Sequence, residues 1–190
     1  MSSSEPSFRD LVFSDLARYR ADSKPSWAKV MARCLTLPGL LASVLIRAQQ
    51  CLFRSGHVRS ANVVHTACVV LVGADVTPGA VFGRGLYIPH PVGVVIGNSA
   101  VLGNHVTLAG GVTIGSRHPD GRGPDGHATI GEGAILSSHA VVLGAITVGE
   151  NALVAAHSVV SADVPDNAVV AGAPARVVGT RAAIAAEAMK

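Results

Sequence analysis

The chain has 190 residues, 49% of them hydrophobic and only 14% charged, which suits one domain with a large core, plus a small appended one at most, and excludes a disordered chain. Its net charge of +3 is uneven: residues 1–60 hold nine Lys/Arg against four Asp/Glu, and the remainder holds six against eight. Neither part clusters basic residues with aromatics, which make up 4% of the chain, so nucleic-acid binding is not expected.

The opening MSSSEPSFRDL is polar and of mixed charge, so no secretory signal is expected there. A first helix is predicted over Ser7–Arg20, with Phe8, Leu11, Val12, Leu16 and Tyr19 at helical spacing. Ser26 is placed to cap a second helix over Trp27–Leu35, and Pro38 fits the first turn of a third over Gly39–Arg54, stopped at Gly56. Leu41, Val44, Leu45 and Leu52 make the apolar side of the third helix. His57–Leu71 is expected to be helical in its first half and to lead into a region of short repeats. The apolar stretches Leu35–Ile46 and Val63–Val72 are too short to span a bilayer, and no membrane partner is expected. Cys34, Cys51 and Cys68 have no CxxC spacing and read as free buried thiols in a reducing, cytoplasmic compartment. Residues 1–68 thus form a helical cap and oligomerisation segment.

From Val70 to about Val164 an aliphatic residue recurs every six positions, as in Ile96, Leu102, Leu108 and Ile114, then Ile130, Leu136, Val142, Val148, Val154 and Val160. Four residues after each stands a small or β-branched one, such as Ala100, Val106, Ala134 or Ala152. A six-residue period is that of a β-helix, in which three units complete one triangular coil and coils stack at strand spacing. The expected fold is mainly β: a left-handed parallel β-helix of hexapeptide repeats over residues 69–180, with an N-terminal α-helical cap. Residues 181–190 lie in the Ala-rich stretch Thr180–Lys190, a short helix or tail closing the open end.

The period breaks twice. Two extra residues fall between Ile88 and Ile96, and ten between Ile114 and Ile130. Segments pushed out of a rigid scaffold tend to carry function, and both of these contain His.

The order Asp75-VTPGA, GRGLYIPHPVGVVIG, GGVTIG, GHATIG and GAPARVV resembles the serine O-acetyltransferases among the hexapeptide-repeat acyltransferases. Arg20-Ala21-Asp22, the Trp-containing helix and Leu35-Thr-Leu-Pro-Gly-Leu40 add to the resemblance, which covers about residues 8–180. It implies transfer of acetyl from acetyl-CoA to a hydroxyl, with no metal cofactor and sites shared between neighbours in a homotrimer. Whether two trimers pair through the cap stays open. The family's base and its orienting carboxylate fall on His90 and Asp75, fifteen residues apart. A hydroxyl is a poor nucleophile at neutral pH, and an imidazole held in one tautomer by a carboxylate can take its proton during attack. The family's second His falls on His127, with His118 in Arg117-His118-Pro119 as the rival position. Asp22 is implied as an acceptor contact, and Ser116, Ser138, Ala156 and Arg176 as cofactor contacts. Ser138 and Ala156 are eighteen residues apart, hence stacked in one column along which a pantetheine arm can lie. His139 and His157 stack one residue further on but have no third ligand at metal-site spacing, and His105 reads as a turn residue.

Two departures matter. Serine acetyltransferases carry an Asp before the base and an Arg before the second His, and here Pro89 and Gly126 stand there. L-serine or a related small hydroxyl substrate is the first expectation. A sugar or polysaccharide acceptor is the alternative, and a non-catalytic hexapeptide-repeat scaffold the second. The chain ends in Ala-Met-Lys rather than in the family's C-terminal Ile, so no complex with the next enzyme of cysteine synthesis is expected.

Overall fold

The computed structural model describes residues 6–19, 24–118 and 126–183. Four helices come first: α1 (Phe8–Tyr19), α2 (Trp27–Cys34), α3 (Pro38–Arg54) and α4 (Val58–Val72). The chain then visits three parallel sheets in rotation. The first holds β1 (Asp75–Val76), β3 (Val95–Ile96), β6 (Thr113–Gly115), β9 (Val141–Leu143) and β12 (Val159–Val160). The second holds β2 (Val81–Phe82), β4 (Val101–Leu102), β7 (Thr129–Ile130) and β10 (Thr147–Val148). The third holds β5 (Thr107–Leu108), β8 (Ile135–Leu136), β11 (Leu153–Val154), β13 (Ala168–Gly172) and, antiparallel to β13, β14 (Ala175–Thr180).

Register follows the repeat. Ile135 pairs with Leu153 and Val141 with Val159, each eighteen residues on. Asp75 pairs with Val95 and Thr113 with Val141, so the two interruptions lengthen a coil without shifting the ladder. Inside, the aliphatic first positions from Ile96 to Val154 are buried, as are the small residues four places later. Alternate side chains of a strand point to opposite faces, which is why Val95 and Val101, one position before buried Ile96 and Leu102, are exposed.

The helical cap is shaped by the open edge of the first coil. Each coil donates its strand N–H groups to the next, as in Asp75 N to Val94 O (2.8 Å) and Val81 N to Ala100 O (2.8 Å). The first coil has no coil before it to use its own carbonyls, and buried carbonyls need donors. α3 supplies them. Gln49 Nε2 donates to Val76 O (2.6 Å), Gln50 Nε2 to Ala80 O (2.8 Å), and Arg47 to Phe82 O (2.9 Å) and Gly83 O (2.6 Å). Arg47 is also paired with Asp15 of α1 through two 2.9 Å contacts, and both side chains are buried. Burial pushes the Asp15 carboxyl up from its ordinary value, while Arg47 and the Leu86 and Gly85 amides pull it down.

Three expectations change. The face that α3 buries most deeply is Leu40, Ala42, Ser43, Ile46, Arg47, Gln49 and Gln50, whereas Leu41, Val44 and Leu45 are only half-buried. Polar residues win that face because the coil edge offers carbonyls. α4 is helical throughout rather than in its first half, running past the expected boundary at residue 68 to a left-handed Gly73 cap. Val70 is therefore an exposed helix residue, not the first member of the repeat. Of the three free thiols only Cys68 is fully buried; Cys34 is half-buried and Cys51 exposed. Ser26 does cap α2, accepting from Lys29 N at 3.4 Å.

At the far end the β13–β14 hairpin folds over the last coil, and residues 181–183 begin a helix. The rest of the expected terminal helix lies outside the described residues. No single described helix is long and apolar enough to cross a membrane; α2 and α3 pass that test only as a pair bent by 120°. Replacing Arg47 by Met leaves Asp15 as an unpaired buried charge and strips two carbonyls of their donor. Urea unfolding should show a loss of about 3–5 kcal/mol.

Candidate functional site

His90 lies in the turn before β3, on the first interruption, and its side chain is exposed. The backbone leading to it is held by one face of α1. Gly85 N donates to Ser14 Oγ (3.0 Å), Leu86 N to Asp15 Oδ1 (2.8 Å), and Ile88 N to the Tyr19 hydroxyl (3.1 Å), which donates in turn to Ile88 O (3.0 Å). Arg18 donates to Gly85 O (3.3 Å) and His105 O (2.9 Å), and lies over the Tyr87 ring. Gly39 of α3 closes the contact from behind: a Cβ there would stand 1.9 Å from Ile88 O. Sequence reasoning assigned Tyr19 to the apolar face of its helix and missed this clamp. Burial pushes the Tyr19 hydroxyl up to about 12, so it stays a protonated donor.

The same edge carries the expected cofactor column. Gly110 lies against His90, with a Cβ there 3.2 Å from His90 O and 3.4 Å from His90 Cβ. His139 N donates to Gly110 O (2.9 Å) and His157 N to Ser138 O (3.0 Å), which stacks the turns containing Gly110, Ser138 and Ala156 beneath the His90 turn. Ser138 and Ala156 are exposed, and no ladder bond uses their N–H groups among the described residues. His139 and His157 stack at 5.1 Å and 14°, both at positive φ (58° and 57°). Among the described residues no group of three or more His, Cys, Asp or Glu gathers as a metal site. Arg176 is elsewhere, in a cleft of about 420 Å³ with Asp163 and Ser161, and donates to its neighbour's carbonyl, Ala175 O (2.8 Å).

Asp75 opens β1, and the bonds Gly93 N to Gly73 O (2.9 Å) and Asp75 N to Val94 O (2.8 Å) bring its strand alongside the His90 turn. No hydrogen bond joins Asp75 to His90. The partner of Asp75 is His65 of α4, Nε2 to Oδ1 at 2.8 Å, a residue sequence reasoning did not single out.

His127 stands at a different edge. Its backbone N donates to Ser99 Oγ (3.1 Å), and its Nδ1 faces both Ser99 Oγ (2.8 Å) and Ser99 N (3.4 Å). A backbone N–H can only donate, so Nδ1 is the acceptor and the proton sits on Nε2. Gly97 makes room for that ring, since a Cβ there would come within 1.8 Å of Nε2. Ser99 and Gly97 follow β3 and His90 precedes it, so within one chain the two His stand on opposite sides of that strand. Ser116 Oγ accepts from His118 N (3.1 Å) at the start of the large loop, and Arg117 is tied to Leu143 O (3.4 Å) and Ser161 O. Asp22 lies outside the described residues, and Gly126 holds a left-handed φ of 60°.

No protein-family model matches the chain. The chain is 36% identical to serine acetyltransferase 4 of Arabidopsis thaliana over 158 residues, which are 83% of this chain and 44% of that protein. With the serine acetyltransferase of Bacillus subtilis it shares 38% identity over 157 residues, 83% of this chain and 71% of the other. The chain thus spans about half the length of its plant relative and most of its bacterial one. The fold superposes on soybean serine acetyltransferase complexed with serine at a TM-score of 0.80 and 36% identity, covering 93% of this chain and 71% of that one.

Desolvation lowers the His127 pKa. An unfolded His protonates near about 6.5, so the neutral ring contributes stability above that pH and loses it as pH falls. Ring-nitrogen NMR should show the Nε2–H form with a midpoint below that of free imidazole, and Ser99→Ala should move the midpoint up.

Proposed function

The chain belongs to the serine acetyltransferase family, and from that premise we propose that it is an acetyl-CoA-dependent O-acetyltransferase acting on L-serine or a related small hydroxyl substrate. The proposed scaffold is a left-handed parallel β-helix of hexapeptide repeats over residues 69–180. It works in the cytoplasm as a homotrimer whose sites lie between neighbours. The observation that carries the proposal is the single edge on which the His90 turn, Gly110, Ser138 and Ala156 stack in register.

His90 is the general base. As the acceptor oxygen attacks the thioester carbonyl, its proton passes to the imidazole and a C–O bond forms. The tetrahedral intermediate then breaks its C–S bond, and the imidazolium returns the proton to the departing CoA sulfur. Asp75 orients the base and stabilises its charged form. His127, fixed as an Nε2–H donor, suits a hydrogen bond to the acceptor or the thioester oxygen better than proton abstraction. Because His90 and His127 stand on opposite sides of β3, a trimer lets His127 of one subunit serve His90 of the next. Acetyl-CoA lies along the column, its pantetheine amides meeting the free N–H groups of Ser138 and Ala156, with Ser116 at the start of the large loop. Arg176, in its separate cleft with Ser161 and Asp163, is the candidate for a CoA phosphate.

A neutral hydroxyl such as a sugar is the second reading, favoured by Pro89 and Gly126 at positions where charges would hold the two ends of an amino acid. Thiol release from acetyl-CoA with L-serine, L-homoserine and a sugar panel separates the two. His90→Ala is expected to lower turnover roughly 10²–10⁴-fold. Turnover that survives the change sinks the mechanism, and no thiol release with any acceptor favours a non-catalytic scaffold.

A further inference from the structure

We propose that His65 of α4 is a positioning residue for Asp75, fixing the carboxylate that orients the base; the inference rests on the roles proposed above for His90 and Asp75. The bond from His65 Nε2 to Asp75 Oδ1 is 2.8 Å long and joins the last helix of the cap to the first strand of the coil. An ionised carboxylate only accepts, so His65 donates through Nε2–H whether its ring is neutral or charged.

The geometry explains why such a holder is needed. Asp75 is the outward residue of a two-residue strand, and its side chain is 54% exposed, against 25% for His65. A carboxylate on that edge turns freely unless something takes one of its oxygens. His65 takes Oδ1, which fixes the plane of the group and leaves Oδ2 for the turn that carries His90. That turn is already tied to the same corner by Gly93 N to Gly73 O (2.9 Å). α4 reaches Asp75 because it is helical up to Val72 and its left-handed Gly73 cap turns the chain straight into β1. Cys68, one turn beyond His65, also senses the carboxylate: burial first and the Asp75 charge second push its thiol up to about 11. Among the described residues, His65 and Cys68 are the titratable α4 groups that act on Asp75, and β3 sets the apolar Val95 beside it.

A group that orients another should change the rate of the bound complex rather than its formation. The 190-residue chain is assayed by thiol release with acetyl-CoA and L-serine, or with the panel acceptor that the wild type turns over fastest. His65→Leu removes the donor and should lower kcat by about 10–100-fold with KM for acetyl-CoA unchanged. His65→Gln places an amide N–H near the same spot and should stay within about threefold of wild type. His65→Asn is too short to reach and should behave like His65→Leu, which keeps the test alive if the leucine variant misfolds. A kcat for His65→Leu or His65→Asn equal to or above wild type overturns the inference, as does a glutamine variant as impaired as the leucine one. His90→Ala is run alongside. If it retains turnover, the reading of the site has failed; if it is inactive while the His65 variants are not, only the role of His65 has failed.

Discussion

A stack of coils has to begin somewhere, and the first coil presents a row of carbonyls that no earlier coil can use. The arrangement of the N-terminal helices answers that deficit. Left bare and buried, each such group costs about 1–3 kcal/mol. Four of them receive side-chain donors from α3 alone, at Val76, Ala80, Phe82 and Gly83. Arg47 is the residue best suited to the task, since its planar fork can reach two carbonyls and a carboxylate at once. Asp15 then offsets its charge and accepts from Leu86 N with the same carboxylate. One buried pair therefore joins α1, α3 and the coil.

That solution also shapes the neighbourhood of His90. The donors and acceptors on α1 at Ser14, Asp15, Arg18 and Tyr19 recur at helical spacing and between them hold Gly85, Leu86 and Ile88. A segment without a regular strand partner on that side thus has its backbone groups bonded by side chains of α1. His90 comes two residues after the last clamped position. Proximity catalysis tolerates little misplacement, with about 1 Å already costly, so under the proposed function a base on a two-residue insertion needs a rigid approach. The cap supplies it to His90 through Tyr19 and, in the proposed scheme, to Asp75 through His65.

The parts legible in the sequence are those with a period. Aliphatic residues every six positions located the coils, because a narrow tube admits one side-chain class at one phase. The interruptions were legible for the same reason, as departures from that phase, and the paired strands of the structure keep it across both. The cap was harder. Its helices were visible from apolar spacing, yet the most buried face of α3 carries Arg47, Gln49 and Gln50. Hydrophobicity orders residues by their transfer from water to oil, and here the surface being covered is not oil but a row of backbone oxygens. His65 escaped notice on similar grounds. Nothing local marks a helix His ten residues before an Asp as its partner until the turn at Gly73 is known.

The chemistry of the acceptor is the remaining step. The resemblance implies an Asp and an Arg where this chain has Pro89 and Gly126, and hydrogen bonds to charged groups contribute about 1.5–3 kcal/mol each. Two such bonds amount to roughly two to four orders of magnitude in affinity, since about 1.4 kcal/mol is tenfold. Under the proposed function, a chain lacking both either holds a zwitterion through other charges or takes an acceptor that carries none. A side chain at position 126 would carry the left-handed φ of 60° that glycine adopts without strain, although His139 and His157 hold the same conformation elsewhere in the stack. Pro89 removes a donor as well as a carboxylate, and it stiffens the approach to His90 that Tyr19 already clamps. Under the proposed function, both changes leave fewer charges around His90 and a stiffer approach to it. Such a site selects by shape and by hydroxyl placement rather than by charge.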